Sequence, residues 1–388
     1  MPFDRPGPFG PPPLYARLRE HRPVARVRTP NGGPAWLVTS YDAVAAVLAD
    51  RRFGLTPPGD AVPGHDTLFQ DGEAHARLRR LVSGAFSPRS LAALRPRVEE
   101  LATGLAAGLA RGAKSADLVA EFAAPLSITV IGELLGVAIG ERDRFRRLVD
   151  AASGADFFFG TPDDLAAAAR AYEELGAFAA ALVAAKRTEP ADDLLSRLIA
   201  VRDADDGRLS DAELVAMAAT IVSAGYLSAS NAVCAGTLRL LAEGRLAALA
   251  SATPEQVAAV VEEVLRTQSG RTGEPFPRFA QEDVELAGAA IGAGDMVLVR
   301  LEAAHHDPRH FADPGRFDPD RRSDPLLVFG HGMHYCLGAP LARTELGAAL
   351  TALARHLPGL RLGTPAGEIA WTSAGADSGP AALPVAWD

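Results

Sequence analysis

Two cysteines occur in this chain of 388 residues. One of them, Cys336, sits within Phe329-Gly-His-Gly-Met-His-Tyr-Cys-Leu-Gly-Ala-Pro340, a glycine-rich loop running into a helix. With Cys234 as the only other thiol, the loop belongs to no disulfide framework and to no Cys-rich zinc site. Gly330, Gly332 and Gly338 permit tight turns and close backbone approach to something flat or bulky. Pro340 suits the first turn of a helix, where its fixed φ and missing N–H cost nothing. A thiolate at that helix N-terminus gains from the dipole and from unpaired N–H groups, which lower its pKa. The pattern favours a metal-bound thiolate. A buried structural cysteine beside a glycine turn is the competing reading.

Further groups with chemical capacity lie upstream. In Asp71-Gly-Glu-Ala-His75-Ala-Arg77-Leu-Arg79-Arg80 the residues His75 and Arg79 are four apart, so they share one helical face. Glu263 and Arg266 are three apart and can pair in the same way. Arg278 follows Pro277, and His334 stands two residues before the cysteine. The spacing Phe-x-x-Gly-x-His-x-Cys-x-Gly resembles the haem-binding loop of the cytochrome P450 family, and the colinear blocks cover the chain from about Val24 to Trp387.

That resemblance implies a haem b cofactor with Cys336 as the iron ligand, a thiolate that donates electron density to the iron. Phe329 would cover the sulfur, and the loop N–H groups around Gly338 would tune it. His75, Arg79, Arg278 and His334 would hold the haem propionates, where Arg offers a fork matched to a carboxylate. Glu263 and Arg266 would brace the core, joined by Arg316 from Pro314-Gly-Arg-Phe317. Leu326 departs from relatives that often carry a propionate-binding His there.

The long apolar segment before residue 242 is the second place where chemistry is expected. Ser210-Asp-Ala-Glu213 reads as a capping box opening a helix to about Leu241. Its middle is Ser223-Ala-Gly-Tyr-Leu-Ser-Ala-Ser-Asn231. The family places Ala-Gly-x-acid-alcohol here, and the acid and alcohol relay protons during dioxygen activation. Gly225 aligns with the glycine, but Leu227 occupies the acid position and Ser228 the alcohol position. Leucine carries no proton. The substrate could complete the relay, or water with Ser230 or Asn231 could reroute it. Alternatively, the oxidation could end in coupling, ring formation or desaturation without oxygen insertion. Ser228 merely bonding the carbonyl four residues back is an equal alternative.

These groups need a scaffold, and the rest of the chain describes one. Charged residues make up 22% and hydrophobic ones 48%, which permits a large core. A net charge of −9 argues against nucleic acid as partner. Leu214–Leu227 is the longest nearly apolar run and falls short of the ~20 residues that span a bilayer. With no apolar stretch at the N-terminus, a cytoplasmic, membrane-free protein is expected. Helical patterns dominate from Tyr41 to Ala250, with a hairpin at Val24–Arg28 and Ala35–Thr39 and strands within Val284–Leu301. The expected fold is mainly α with minor β: one cytochrome P450 domain over residues 1–388, triangular, with haem between a long central helix and the Cys loop.

The resemblance further implies a monomeric monooxygenase acting on a small organic molecule, as bacterial relatives tailor secondary metabolites. Electrons would come from ferredoxin and its reductase, docking at Arg77, Arg80, Arg89 and Arg343. A haem sensor or carrier is the reading from another class. Four variable segments would wall the pocket: Gly54–Gln70, Ala152–Leu165, Thr267–Phe276 and Trp371–Ser378. Within them Phe157–Phe159 suggest an aromatic roof, while His65, Asp66, Arg271 and Glu274 suggest a polar substrate.

Overall fold

The computed structural model describes residues 5, 7–59, 68–84, 86–153, 161–203, 210–268, 276–322, 324–372 and 378–388, with no side chain described for Arg89. His65, Asp66, Phe157–Phe159, Arg271 and Glu274 therefore lie outside the described residues.

Helices α1 (Pro13–His21) and α2 (Tyr41–Ala49) flank strands β1 (Val24–Arg28) and β2 (Pro34–Val38), and β3 (Phe53–Gly54) follows. Next come α3 (Gly72–Ser83), α4 (Pro88–Ala110), β4 (Ser115–Asp117), α5 (Ala124–Leu135) and α6 (Arg142–Ser153). Helices α7 (Pro162–Thr188), α8 (Leu194–Asp203), α9 (Asp211–Ala242) and α10 (Pro254–Gln268) complete the helical block. Strands β5 (Arg278–Ala280), β6 (Val284–Leu286), β7 (Ala289–Ile291) and β8 (Met296–Val299) lead to α11 (Leu301–His305). Last are α12 (Ala339–His356), β9 (Arg361–Leu362) and β10 (Pro384–Ala386).

The hairpin forms where the turn residues place it. Gly32 has φ +85°, a conformation glycine adopts without a Cβ penalty, and Val24 pairs with Val38 in antiparallel register. This hairpin belongs to a five-stranded sheet in the order β1-β2-β8-β5-β3, which carries Arg278 on β5, between β8 and β3.

Helix α9 begins as expected. The Ser210 hydroxyl accepts from the Glu213 N–H at 3.1 Å, and the Glu213 carboxylate accepts from the Ser210 N–H at 2.7 Å. It is long and apolar enough to cross a membrane by length and composition. Here that apolarity is spent on packing: Leu214, Met217, Val222, Val233 and Leu238 enter the main core with α5, α7 and α12. Gly225 permits the closest approach, because a Cβ there would stand 2.7 Å from Ile131 Cδ1.

A buried ion pair ties the helical half to the cysteine side. Arg266 donates from Nε and Nη2 to the two Glu263 carboxylate oxygens at 2.8 and 2.7 Å, with both residues at least 96% buried. Its Nη1 donates to the His305 carbonyl at 2.9 Å. The expected third member, Arg316, does not join. Its guanidinium stays in solvent, 2.5 Å from Asp318, and only its backbone carbonyl faces Arg266. Arg321 fills the place instead, its Nε 3.5 Å from Glu263 Oε2 without hydrogen-bond alignment. Arg321 reaches inward because its Nη groups donate to the carbonyls of Ala312, Asp313 and Arg316, which fold the segment around it.

Candidate functional site

The cysteine loop is held from three sides. The Leu327 N–H donates to His305 Nε2 at 2.8 Å, anchoring the approach to the loop on α11. Gly330 donates to the Leu327 carbonyl and Cys336 to the Phe329 carbonyl, each at 2.8 Å. Gly332 has φ +71°, and a Cβ on it would lie 2.9 Å from Ala49 Cα and Leu48 O. Only glycine lets the loop press on α2 this closely. Arg343 stacks over the Phe329 ring with its Cζ 4.5 Å from the centroid.

Cys336 is exposed as a residue, while its sulfur has enough protein around it for burial to push the thiol above its ordinary pKa. Both hold for a sulfur set into a floor with one open side, and the exposure better describes access to it. The N–H groups of Gly338 and Ala339 and the charges of Arg79 and Arg343 pull the other way. The helix terminus thus acts in the expected direction, but desolvation outweighs it, so the lowered thiol pKa is not found. A cation at the sulfur would reverse that balance, since a coordinating thiol is deprotonated outright.

The expected anion donors do converge beside this loop. His75 on α3 is 1% exposed, and its Nε2 is buried without a hydrogen-bond partner. Its ring lies 4.3 Å from that of His334. Burial, with the charges of His334 and Arg79, lowers the His75 pKa to about 4, so it is neutral at pH 7. Arg79 donates from Nη2 to the Tyr335 carbonyl, one residue before the cysteine. Arg278 on β5 is 5% exposed and donates from Nη1 to the Phe276 carbonyl at 2.6 Å. Burial lowers its pKa to about 10, which leaves it a cation.

Asp71, to which the sequence assigned no role, joins these donors. Its Oδ1 lies 2.9 Å from His334 Nε2, and its Oδ2 accepts from the Leu55 N–H at 2.6 Å. Burial disfavours the carboxylate, but His334, Leu55 and Arg278 outweigh it and hold its pKa below the usual range. Asp71 stands at the N-cap position of α3 without a side-chain capping bond, and its oxygens serve the histidine and the residue that follows β3 instead.

These residues fit haem. The two haem carboxylates need cationic or N–H donors in a partly desolvated place. A buried imidazole nitrogen without a partner, a buried guanidinium and a half-buried one answer that need. The adjacent thiol, with glycine backbone on either side, answers the iron's.

The facing segment of α9 is arranged differently. The Ser228 hydroxyl donates to the Ala224 carbonyl at 2.7 Å. Leu227 is half-buried against the apolar core. Ser230 is 3% exposed and two residues on, so it points to another face. Asn231 is buried with its side chain against Gly379, and its Nδ2 has no hydrogen-bond partner. Tyr226, to which the sequence assigned no role, is 3% exposed and hydrogen-bonds Asp150 and Arg146 of α6; its pKa is raised, chiefly by burial. Its partners are 76 and 80 residues away, so no local pattern could mark it.

Known proteins resemble this chain over nearly its whole length. Residues 255–357 match the family model "Cytochrome P450". The chain is 42% identical to mycinamicin IV hydroxylase/epoxidase of Micromonospora griseorubida over 383 residues, covering 96% of this chain and 94% of that one. It is also 42% identical to the cytochrome P450 monooxygenase PikC of Streptomyces venezuelae, covering 97% and 90%. The solved structure of CYP105P1 in complex with filipin I superposes with a TM-score of 0.91 at 35% identity, covering 100% of this chain and 98% of that one. The chain belongs to the cytochrome P450 family and is a haem-b-dependent oxidoreductase with that family's mainly α fold.

Proposed function

We propose that this monooxygenase oxidises a bacterial secondary metabolite with Cys336 as the iron ligand. The observation that carries the reading is the convergence of His75, Arg79, Arg278 and His334 beside the Cys336 loop. Haem bound there supplies the redox chemistry that activates dioxygen. Arg278 and Arg79 bring positive charge to the propionates, and His75 Nε2 provides the remaining polar contact. Asp71 accepts from His334, which fixes that ring, and its charge offsets that of Arg278 while no carboxylate is bound beside them. Gly338 and Ala339 direct their N–H groups at the sulfur and hold its negative charge.

On the distal side Ser228 acts as an acceptor, since its proton is used on the Ala224 carbonyl. Its lone pairs can hold a water or a substrate hydroxyl. Ser230 and Asn231 are turned into protein, which disfavours a relay through them. We assign proton supply to the substrate or to a water it holds, with Leu227 closing the usual route. A single turnover under labelled dioxygen tests the reading: label appears in the product. Unlabelled, coupled or desaturated product overturns it.

The reaction requires a redox partner, and we infer a ferredoxin. Two of the four arginines suggested for its dock are already paired, Arg77 with Glu213 and Arg343 with Glu262. Arg80 is exposed on α3 and supports such a dock.

A further inference from the structure

A cavity of about 250 Å³ lies between the N-terminal segment and the far end of α9, lined by Phe9, Pro11, Arg239, Thr267, His306 and Gly315 among others. None of these is among the residues gathered around the Cys336 loop, although Thr267 opens a segment expected to wall the substrate pocket. Arg239 is eleven residues beyond Ser228 on the same helix, about 16 Å along its axis at 1.5 Å per residue.

Its polar groups have unused capacity of a definite kind. Arg239 is 7% exposed; Nη2 pairs with Glu243 at 2.9 Å, while Nε is buried without a hydrogen-bond partner. The guanidinium lies 4.8 Å from the Phe9 ring centroid and 5.5 Å from that of Phe317, which hold its plane. The His306 Nδ1 is 2.9 Å from the Glu302 carbonyl. A carbonyl only accepts, so Nδ1 carries the proton and Nε2 presents a lone pair. Burial first, and then Arg266, Arg19 and Arg239, keep this imidazole neutral, with a pKa of about 4. Arg19 and Arg266 are paired with Asp307 and Glu263, so Arg239, which keeps an unpartnered Nε, is the cation with donor capacity left for the cavity. Thr267 donates its hydroxyl to the Glu263 carbonyl at 2.9 Å, so it too faces the cavity only as an acceptor.

We propose that this cavity is a second small-molecule site, taking a carboxylate that also carries a hydroxyl or N–H donor. The carboxylate accepts from the Arg239 guanidinium, and the donor group gives its proton to His306 Nε2. Phe9 and Pro11 offer an apolar wall for the body between them. The space equals that of about eight waters at ~30 Å³ each, which suits a single-ring acid.

Calorimetric titration of the haem-loaded full chain with 4-hydroxybenzoate, benzoate and 4-hydroxybenzamide tests this. The hydroxy acid should bind at least about tenfold more tightly than the amide, which lacks the charge, and more tightly than benzoate, which lacks the donor. The Soret band should not move, since the haem site is elsewhere. Gly315→Leu adds bulk at the exposed rim of the cavity without strain, because nothing lies within 4 Å of a Cβ there. It should weaken the binding severalfold while the thermal midpoint and the ferrous–CO band stay unchanged. Arg239→Gln should weaken binding at least tenfold, and it serves if the leucine variant does not fold. Absence of heat from 4-hydroxybenzoate at millimolar concentration, equal binding of the amide, unchanged binding in a folded variant, or a coincident Soret shift overturns the proposal.

Discussion

The two faces of the haem site obey different constraints. On the cysteine side the loop itself is fixed by named contacts. His305 holds Leu327, Phe329 accepts from Cys336, and Gly332 is pressed on α2. On the α9 side the position expected to hold an acid carries Leu227, Ser228 is turned back on its own helix, and Tyr226 reaches away to α6. The first region must hold one fixed cofactor, and its geometry leaves little room to vary. The second must suit whichever substrate this enzyme oxidises, and there the chain departs from the family pattern.

The contrast can be broken or sharpened by experiment. Cys336→Ser should abolish the thiolate-type ferrous–CO band and turnover, and a retained band would remove the central assignment. Glu263→Gln leaves Arg266 buried beside a neutral partner and should cost about 3–5 kcal/mol of stability, read by denaturant unfolding. A loss below about 1 kcal/mol would show that Arg321 and the His305 carbonyl suffice for the brace.

Arg278→Met removes a buried cation of nearly equal length. Haem loss to a scavenger should quicken roughly tenfold to a hundredfold, matching about 1.5–3 kcal/mol for a charge-assisted hydrogen bond. Unchanged retention would mean that Arg79 and His75 carry the propionates.

Acid should weaken the cysteine side through His305. Its Nε2 must stay unprotonated to accept from Leu327, and burial with the charges of Arg266 and His306 lowers its pKa from 6.5 to about 3. The folded state therefore binds fewer protons than the unfolded one between those values. This contribution is fully present above pH 6.5 and is lost as pH falls, by about 1.4 kcal/mol per unit. Stability measured from pH 7 to 5 should fall accordingly, and His305→Gln should flatten the slope.

The smallest effect is expected on the distal face. Leu227→Asp places an acid at a half-buried position and should lower the solvent isotope effect on turnover, because a positioned side chain would then deliver the proton. No change would place the proton supply wholly on the substrate.

Much of this was legible in the residues because it is local. The Asn31-Gly32 turn, the Ser210/Glu213 capping box and the glycine-bounded Cys336 loop each fix backbone geometry within a few residues. The His75/Arg79 spacing set both side chains on one face of α3. Partner choice was not legible. Arg316 and Arg321 are both arginines near the same turn, and only the folded segment decides that Arg321 enters the Glu263 site. The sequence assigned Asp71 no role, because its partners His334 and Leu55 are 263 and 16 residues away.

The Cys336 thiol shows the same division. By itself the sequence determined the thiol's identity, its place before a helix and the donors that accompany it, since these follow from residue type and short-range spacing. Only the tertiary structure decided how the opposing contributions balance. Desolvation depends on what chains from α3 and α12 bring around the sulfur, and it overcomes the helix-terminal N–H groups that local pattern alone could weigh. Burial is a property of the whole packed molecule, so no window of sequence contains it.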